Sequence, residues 1–144
     1  MLSKEIKVNP KVQEALDNNK SIVALESTLI SHGLPYPENI NVAKESIKAV
    51  EDSGSVAATI GIINGEIIIG LNDNEIEVLA TSKNVEKVSL HNIALSLFHK
   101  QNAATTVATT INIASKVGIK FFATGGIGGV HLGCLLYTSP SPRD

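Results

Sequence analysis

A carboxylate follows directly after a short apolar run near the beginning of the chain. Residues 22–25 are Ile-Val-Ala-Leu, and four consecutive apolar residues favour a strand buried on both faces, as in parallel sheets. Ligands bind at the carboxyl ends of strands in open α/β sheets. Glu26 would therefore lie where a substrate binds and where a carboxyl group can exchange a proton with it. The residues alone favour a simpler role for Glu26, a helix N-cap or a surface carboxylate.

A second segment that could bind a ligand is rich in glycine. Residues 124–131 read Thr-Gly-Gly-Ile-Gly-Gly-Val-His. Gly125, Gly126, Gly128 and Gly129 would let backbone N–H groups approach an anion, and such loops bind phosphate. The spacing lacks the third glycine of the dinucleotide fingerprint, and no Gly-Lys-Ser/Thr follows as in a P-loop. A tight chain reversal that needs positive φ explains the glycines equally well.

Helical and strand patterns alternate along the chain, which predicts a layered α/β domain with a mostly parallel sheet. The clearest local signal is Asn-Gly at 64–65 between two apolar runs, which predicts one antiparallel hairpin. The pattern at 105–117 fits either a strand, because of its threonines, or a helix, because of its apolar spacing. Strands are predicted at 22–25, 56–63, 66–69, 85–90 and 119–123, and helices at 10–18, 37–52, 73–80 and 92–100.

Composition excludes several classes of protein. The chain has 43% hydrophobic and 18% charged residues and a formal net charge of −2, which gives no reason to expect a nucleic-acid or membrane-surface partner. No signal peptide or membrane-spanning run is visible, so we expect a cytoplasmic protein. The single cysteine, Cys134, argues against disulfides and thiolate zinc sites.

The last eleven residues, 134–144, differ from the rest of the chain. They hold the only cysteine and the only arginine, and the peptide resembles the translation of an adapter used in DNA sequencing libraries. We therefore expect residues 134–144 to be a disordered, non-native tail and residues 1–133 to be the N-terminal part of one α/β domain, incomplete at its C-terminus. The alternative is a natural Ser/Pro-rich tail.

Five motifs together resemble the pseudouridine-5′-phosphate glycosidase family, in order and spacing, across residues 5–133. They are Ala-Leu-Glu-Ser-Thr at 24–28, His-Gly-Leu-Pro at 32–35, Glu-Lys-Val-Ser at 86–89, Ala-Thr-Thr-Val-Ala at 104–108 and Phe-Ala-Thr-Gly-Gly-Ile-Gly-Gly-Val-His at 122–131. The resemblance implies an α/β/α fold, a homotrimer and a divalent metal, typically Mn²⁺. It also implies an enzyme that reversibly cleaves the C–C glycosidic bond of pseudouridine 5′-phosphate to give uracil and ribose 5-phosphate.

The resemblance assigns roles to four residues. Glu26 matches the proton donor, Lys87 the lysine that contacts the sugar phosphate, and Val107 a substrate-contacting position. His131 matches an active-site histidine that could assist proton movement. Each has a simpler alternative: a surface or capping carboxylate, a solvated lysine, a core valine and a loop histidine without a role.

The sequence departs from the family directly after His131, because Leu132 stands where a basic residue is more usual. The resemblance also implies a nucleophilic lysine that forms an imine with the opened ribose, a metal-binding aspartate and a serine-containing phosphate loop. All three lie beyond residue 133, so we expect no metal ligand in residues 1–133 and no catalysis by this chain.

Because Ser139 and Asp144 lie in the tail at 134–144, we assign them no role in phosphate or metal binding. Two other functional classes remain open. The chain could belong to another sugar-phosphate or nucleotide enzyme in which Glu26 acts as a base. It could instead be a non-catalytic phosphate-binding module. The sequence also leaves the role of His32, beyond shaping a pocket, undetermined.

Overall fold

The computed structural model describes residues 6–127. Five helices and seven strands alternate along this part of the chain. They are β1 (Ile6–Val8), α1 (Pro10–Asp17), β2 (Ile22–Leu25), a π-helical turn (Leu29–Gly33), α2 (Glu38–Asp52), β3 (Val56–Ile63), β4 (Glu66–Ile69), α3 (Asp73–Thr81), β5 (Glu86–Val88), α4 (Ile93–Phe98), β6 (Ala103–Thr105), α5 (Val107–Lys116) and β7 (Phe121–Ala123). The five predicted strands are present, whereas the strands at 6–8 and 103–105 were not predicted.

The strands form one mixed sheet organised around β3. Its main order is β1-β4-β3-β2-β7, and β6 pairs with both β3 and β5. Pairs β1–β4, β2–β3, β2–β7 and β5–β6 are parallel, which confirms the predicted mostly parallel sheet. The antiparallel hairpin β3–β4 is confirmed as well.

A second antiparallel pair, β3–β6, was not predicted. The ambiguous segment beginning at Thr105 divides into the end of β6 and, from Val107, the whole of α5. The helical interpretation is therefore confirmed for residues 107–116, and the strand interpretation holds only for Thr105. Three small or hydroxyl residues, Ala-Ala-Thr, carry no strand periodicity of their own, and β6 exists because β3 and β5 offer it hydrogen-bonding edges.

Helices cover both faces of the sheet and give three layers. On one face, α1 and α5 bury residues such as Val12 and Ile113 against Ala24, Ile60 and Ile62. On the other face, the π-helical turn, α2 and α3 pack around Ile30, Ala43, Ile76 and Leu79. The α/β/α arrangement is thus confirmed. No helix within residues 6–127 is both long enough and apolar enough to cross a membrane.

Local signals set several element boundaries. Asn64 and Gly65 take φ of 50° and 77°, the left-handed values that a type I′ hairpin turn requires. Helix α3 begins with a reciprocal capping box between Asn72 and Glu75, so Asn72 is the N-cap and Asp73 is the first helical residue. Gly70 lies at φ +89°, and a Cβ there would sit 2.7 Å from the Val12 side chain.

Candidate active site

The site forms where strands β2 and β6 meet end to end along β3. Strand β2 runs parallel to β3, with Leu25 opposite Thr59, and β6 runs antiparallel to it, with Ala104 opposite Gly61. The two strands therefore approach each other with their carboxyl ends. At the junction, the amide of Thr105 donates to Ser27 Oγ at 2.8 Å, and the amide of Ser27 donates to the Thr105 carbonyl at 3.4 Å.

Buried hydroxyls fix this junction. Ser27, Thr105 and Thr110 are fully buried, and the Thr105 hydroxyl donates to the Ile60 carbonyl at 2.7 Å while lying 2.9 Å from Thr110 Oγ1. Every buried side-chain polar atom in residues 6–127 has a hydrogen-bond partner. A satisfied network of this kind holds its members in one geometry.

Hydrogen bonds join the three segments that carry Glu26, Lys87 and Val107. Thr28 Oγ1 donates to the Thr105 carbonyl at 2.9 Å, which links the segment after β2 to the beginning of α5. The amide of Thr106 donates to the Val88 carbonyl at 3.1 Å, which links β5 to the same point. The segments meet, although the three side chains differ in exposure.

Glu26 itself contacts a residue that the sequence reasoning did not select. The parallel register pairs Leu25 with Ala123, so the residues that follow, Glu26 and Thr124, lie side by side. The Thr124 hydroxyl donates to Glu26 Oε1 at 2.5 Å. Both side chains are half-buried. In the sequence, Thr124 is recognisable as a hydroxyl residue directly after a predicted strand. Its contact with Glu26 could not be predicted, because the sequence does not show that β7 pairs with β2.

A cavity of about 270 Å³ opens beside Glu26 between the ends of β2 and β7 and helix α2. Its walls are mostly apolar, and Glu26 is the only charged residue among those that line it. The other lining residues are Leu25, Leu29, Ile30, Ala43, Ser46, Ala49, Val50, Thr59, Ala123, Thr124 and Gly125. A carboxyl group at an apolar cavity wall, with a hydroxyl donor fixed on one oxygen, can present its other oxygen to a ligand.

A larger cavity of about 340 Å³ lies at the opposite, amino ends of β2 and β7, where Lys20, Ile22, Ile119 and Phe121 line it. It holds none of the residues singled out from the sequence. Because ligands of open α/β sheets bind at the carboxyl ends, we assign the site to the smaller cavity beside Glu26.

The other candidate residues are distributed as follows. Val107 is half-buried as the first residue of α5, and Lys87 is exposed on β5 and does not line the Glu26 cavity. Gly125 lines the cavity. His32 is exposed at the end of the π-helical turn, outside the cavity lining. Gly128, Gly129, His131 and Leu132 lie outside the described residues, so their predicted positions stay predictions.

The two described glycines of the loop do not need to be glycine for backbone reasons. Gly125 and Gly126 have no positive φ, unlike Gly54, Gly65 and Gly70. A Cβ built on either would meet nothing within 4 Å. The chain-reversal explanation therefore does not apply to these two positions, and both are open to solvent.

The described residues provide neither a salt bridge to Glu26 nor a metal centre. The three ion pairs in residues 6–127, Lys7–Glu66, Lys11–Glu51 and Lys20–Glu14, join exposed side chains away from the site. No group of three or more His, Cys, Asp or Glu residues in this range could hold a metal ion.

A family model described as indigoidine synthase A like protein matches residues 11–138. The chain belongs to this family. The matched range runs past residue 133, and the non-native origin expected for residues 134–144 stays a prediction.

Curated relatives of the chain bear the name suggested by the motifs, so the resemblance is confirmed. The chain is 55% identical over 122 residues to the pseudouridine-5′-phosphate glycosidase of Symbiobacterium thermophilum, covering 85% of this chain and 40% of that protein. It is 52% identical over 132 residues to the enzyme of the same name from Staphylococcus aureus, covering 92% and 43%. The chain thus spans about 40% of the length of these curated relatives.

A solved structure of the same fold is the prealnumycin C-glycosynthase AlnA in complex with ribulose 5-phosphate. It superposes with a TM-score of 0.79 at 40% sequence identity, over 90% of this chain and 41% of that chain. At 40% identity, this chain and the C-glycosynthase are similar in sequence as well as in fold.

Proposed function

We propose that this chain is the acid-bearing part of a pseudouridine-5′-phosphate glycosidase, in which Glu26 delivers a proton to the departing carbon of uracil. The observation that carries the proposal is the Glu26–Thr124 pair at the adjoining ends of β2 and β7, beside a cavity. The names of relatives with more than 50% identity supply the reaction.

The chemistry explains why a carboxylic acid is needed at this place. When the C–C bond to uracil breaks, the electron pair stays on a ring carbon, which must receive a proton. A positioned general acid supplies that proton and accelerates the step by roughly 10²–10⁴-fold. In the reverse direction, the Glu26 carboxylate takes the proton back. The mostly apolar walls of the cavity would leave few polar groups to hold water beside Glu26, which would favour this exchange over exchange with solvent.

The remaining site residues complete the proposal. Lys87 would bind the phosphate as a compact cation, and its exposure leaves it free to do so. Val107 would contact the sugar through its backbone at the beginning of α5. The open space at Gly125 and Gly126 would admit the ligand to the loop. Gly128 and Gly129 are proposed to belong to the same phosphate-binding loop, and His131 would assist proton movement.

The whole protein would act as a cytoplasmic homotrimer in nucleotide catabolism, with Mn²⁺ as its metal. Residues 6–127 contain no cluster of His, Cys, Asp or Glu side chains that fits a metal ion, so the metal ligands would come from other residues of the whole protein. The nucleophilic lysine and the metal-binding aspartate would come from the part of the relatives that this chain does not span. We therefore expect no uracil release by the 144-residue chain alone.

A chimera tests the proposal. Residues 6–127 replace the corresponding part of the Symbiobacterium thermophilum relative, and uracil release from pseudouridine 5′-phosphate is measured. We expect turnover, and we expect Glu26→Gln to lower kcat by roughly 10²–10⁴-fold with little change in KM, because an amide cannot donate the acidic proton. Glu45→Gln, on an exposed position of α2, is the matched control and should leave both constants unchanged.

Two results would contradict the proposal. An active chimera in which Glu26→Gln keeps normal kcat would remove the assigned role of Glu26. A folded chimera that binds ribose 5-phosphate but never turns over, with binding unaffected by Glu26→Gln, would favour the non-catalytic phosphate-binding module.

The role of Lys87 is tested in the same chimera. Lys87→Ala should raise KM more than it lowers kcat, whereas Lys83→Ala, at another exposed lysine, should change neither constant.

The similarity to a C-glycosynthase favours one specific alternative. The same acid at the same strand end could serve formation of a C–C glycosidic bond to a ring other than uracil. The chimera separates the two functions, since a synthase would join ribose 5-phosphate to a different aromatic acceptor in preference to uracil. The higher identity to the glycosidases favours uracil.

A further inference from the structure

The hydroxyl of Thr124 has three polar neighbours, and these define a relay. Its oxygen lies 2.5 Å from Glu26 Oε1, 3.2 Å from the carbonyl oxygen of Gly126 and 3.3 Å from the amide nitrogen of Gly126. A threonine hydroxyl carries one proton and two acceptor lone pairs. It can therefore donate either to Glu26 Oε1 or to the Gly126 carbonyl oxygen, but not to both at once. Which of the two accepts depends on whether Glu26 Oε1 carries a proton.

We propose that Thr124 is a positioning residue that transmits the protonation state of Glu26 to the glycine segment. When Glu26 is a carboxylate, it only accepts, so Thr124 donates to Oε1 and accepts from the Gly126 N–H. When Glu26 carries a proton on Oε1, it donates to Thr124 Oγ1, and the Thr124 proton turns to the Gly126 carbonyl. The only covalent change is the O–H bond of Glu26, formed with a proton from solvent or ligand.

The two states place different hydrogen bonds on the two peptide groups that flank Gly126. A carboxylate keeps the Thr124 proton on Oε1, so only the Gly126 N–H bonds to Thr124, whereas protonated Glu26 releases that proton to the Gly126 carbonyl. Since the Gly126 amide nitrogen and carbonyl oxygen are nearly equidistant from Thr124 Oγ1, a small rotation about the Gly126 backbone strengthens one contact at the expense of the other. Gly126 is exposed, and a Cβ there would meet nothing within 4 Å, so no packing opposes that rotation. The position of the Gly126 backbone therefore depends on the protonation state of Glu26 and not on packing against neighbouring side chains.

No competing titratable group faces Glu26 within residues 6–127. Helix α2 presents Ala43, Ser46, Ala49 and Val50 to the cavity. Its six charged residues are all exposed and outside the lining: Glu38, Lys44, Glu45, Lys48, Glu51 and Asp52. Strand β3 contributes Thr59 and the π-helical turn contributes Leu29 and Ile30, with His32 outside. A pH response of Gly126 in the acid range would therefore originate at Glu26.

The consequence for catalysis rests on the proposed function: the loop would contact the ligand differently before and after Glu26 gives up its proton. The relay itself does not depend on the substrate. It is tested on the 144-residue chain without ligand, so that its failure and a failure of the glycosidase assignment are separate results.

The experiment follows two NMR signals through a pH titration, the side-chain carboxyl carbon of Glu26 and the backbone amide of Gly126. In the native chain, we expect the Gly126 amide to shift with the same midpoint as the Glu26 carboxyl carbon. Thr124→Ser keeps the hydroxyl and should keep the shift. Thr124→Val keeps the shape without the hydroxyl and should abolish the Gly126 shift while Glu26 still titrates.

Further variants keep the test decisive. Glu26→Gln should leave the Gly126 amide without a pH-dependent shift in the acid range. The Gly118 amide, which donates to Ser115 at the opposite end of β7, is the internal reference. If Thr124→Val loses its dispersed spectrum, Thr124→Ala takes its place. A Gly126 shift that persists without the hydroxyl, or a native Gly126 amide that ignores the titration of Glu26, would overturn the relay.

Discussion

Ser27 and Thr105 hold the carboxyl ends of β2 and β6 together, with the Thr105 amide donating to Ser27 Oγ at 2.8 Å in a fully buried environment. This contact fixes the residue directly after Glu26. The position of the acid thus depends on a hydrogen bond between segments that are 78 residues apart in sequence.

Replacing the hydroxyl of Ser27 should destabilise the fold. Ser27→Ala leaves the buried Thr105 N–H without its acceptor, which costs about 1–3 kcal/mol. The free energy of unfolding in urea measures the effect. Ser55→Ala is the control, because the Ser55 side chain makes only an exposed hydrogen bond, to Ser21, and its removal should change stability by less than about 0.5 kcal/mol. Equal losses of unfolding free energy in the two variants would contradict a stabilising role of the Ser27–Thr105 hydrogen bond.

Gly70 should tolerate alanine less well than Gly54. Both have φ near +85°, so alanine costs about 1–2 kcal/mol at either position. At Gly70 the new methyl group would also lie 2.7 Å from Val12 and 2.8 Å from Asn9, whereas at Gly54 it meets nothing within 4 Å. We therefore expect Gly70→Ala to cost about 1–3 kcal/mol more in unfolding free energy. Identical losses would contradict the close packing of α1 on the end of β4.

The capping box of α3 should contribute measurably to stability. Asn72→Ala removes the acceptor of the Glu75 amide and should lower the unfolding free energy by about 0.5–2 kcal/mol. Asn41→Ala, on an exposed position within α2, should be neutral or slightly stabilising because alanine is the better helix former. Denaturant unfolding of both variants checks the prediction, which fails if Asn72→Ala is neutral too.

The free side of β7 should promote self-association. In residues 6–127 only β2 pairs with β7, and Phe121 is 61% exposed, which leaves unpaired backbone groups next to an apolar side chain. Phe121→Lys should therefore reduce association in sedimentation velocity. Phe98→Lys removes an even more exposed phenylalanine, at 80%, but on helix α4, and should reduce association less. A native chain that stays monomeric at high concentration, with a sharp cooperative melt, would refute this expectation.

Local sequence patterns predicted most elements because they carry their own signals. The Asn64-Gly65 turn and the apolar runs beside it specified the β3–β4 hairpin, and the run before Glu26 specified β2. Strand β6 escaped prediction because Ala103 and Ala104 have no periodicity, and their pairing depends on distant edges. The family was recognisable because its motifs are spread over the whole chain.

The site was only partly predictable, for a related reason. Glu26 could be placed at a strand end from local pattern alone. Its partner Thr124 could not be identified, since the pairing of β2 with β7 is a property of the strand order and not of either segment. Lys87 was expected to contact the sugar phosphate; it is exposed on β5, outside the lining of the Glu26 cavity, and its role stays a prediction. Strand alternation predicts a residue's face but not which cavity that face borders.

The hydrogen bond between Thr124 and Glu26 spans 98 positions along the chain. Contacts between such distant residues form slowly, because a long loop must close before they contribute any energy. A nascent chain that has emerged only as far as the β3–β4 hairpin can already be ordered locally, yet its Glu26 lacks the hydroxyl partner that orients the carboxyl group. Glu26 reaches its hydrogen-bonded position only after β7 has docked beside β2.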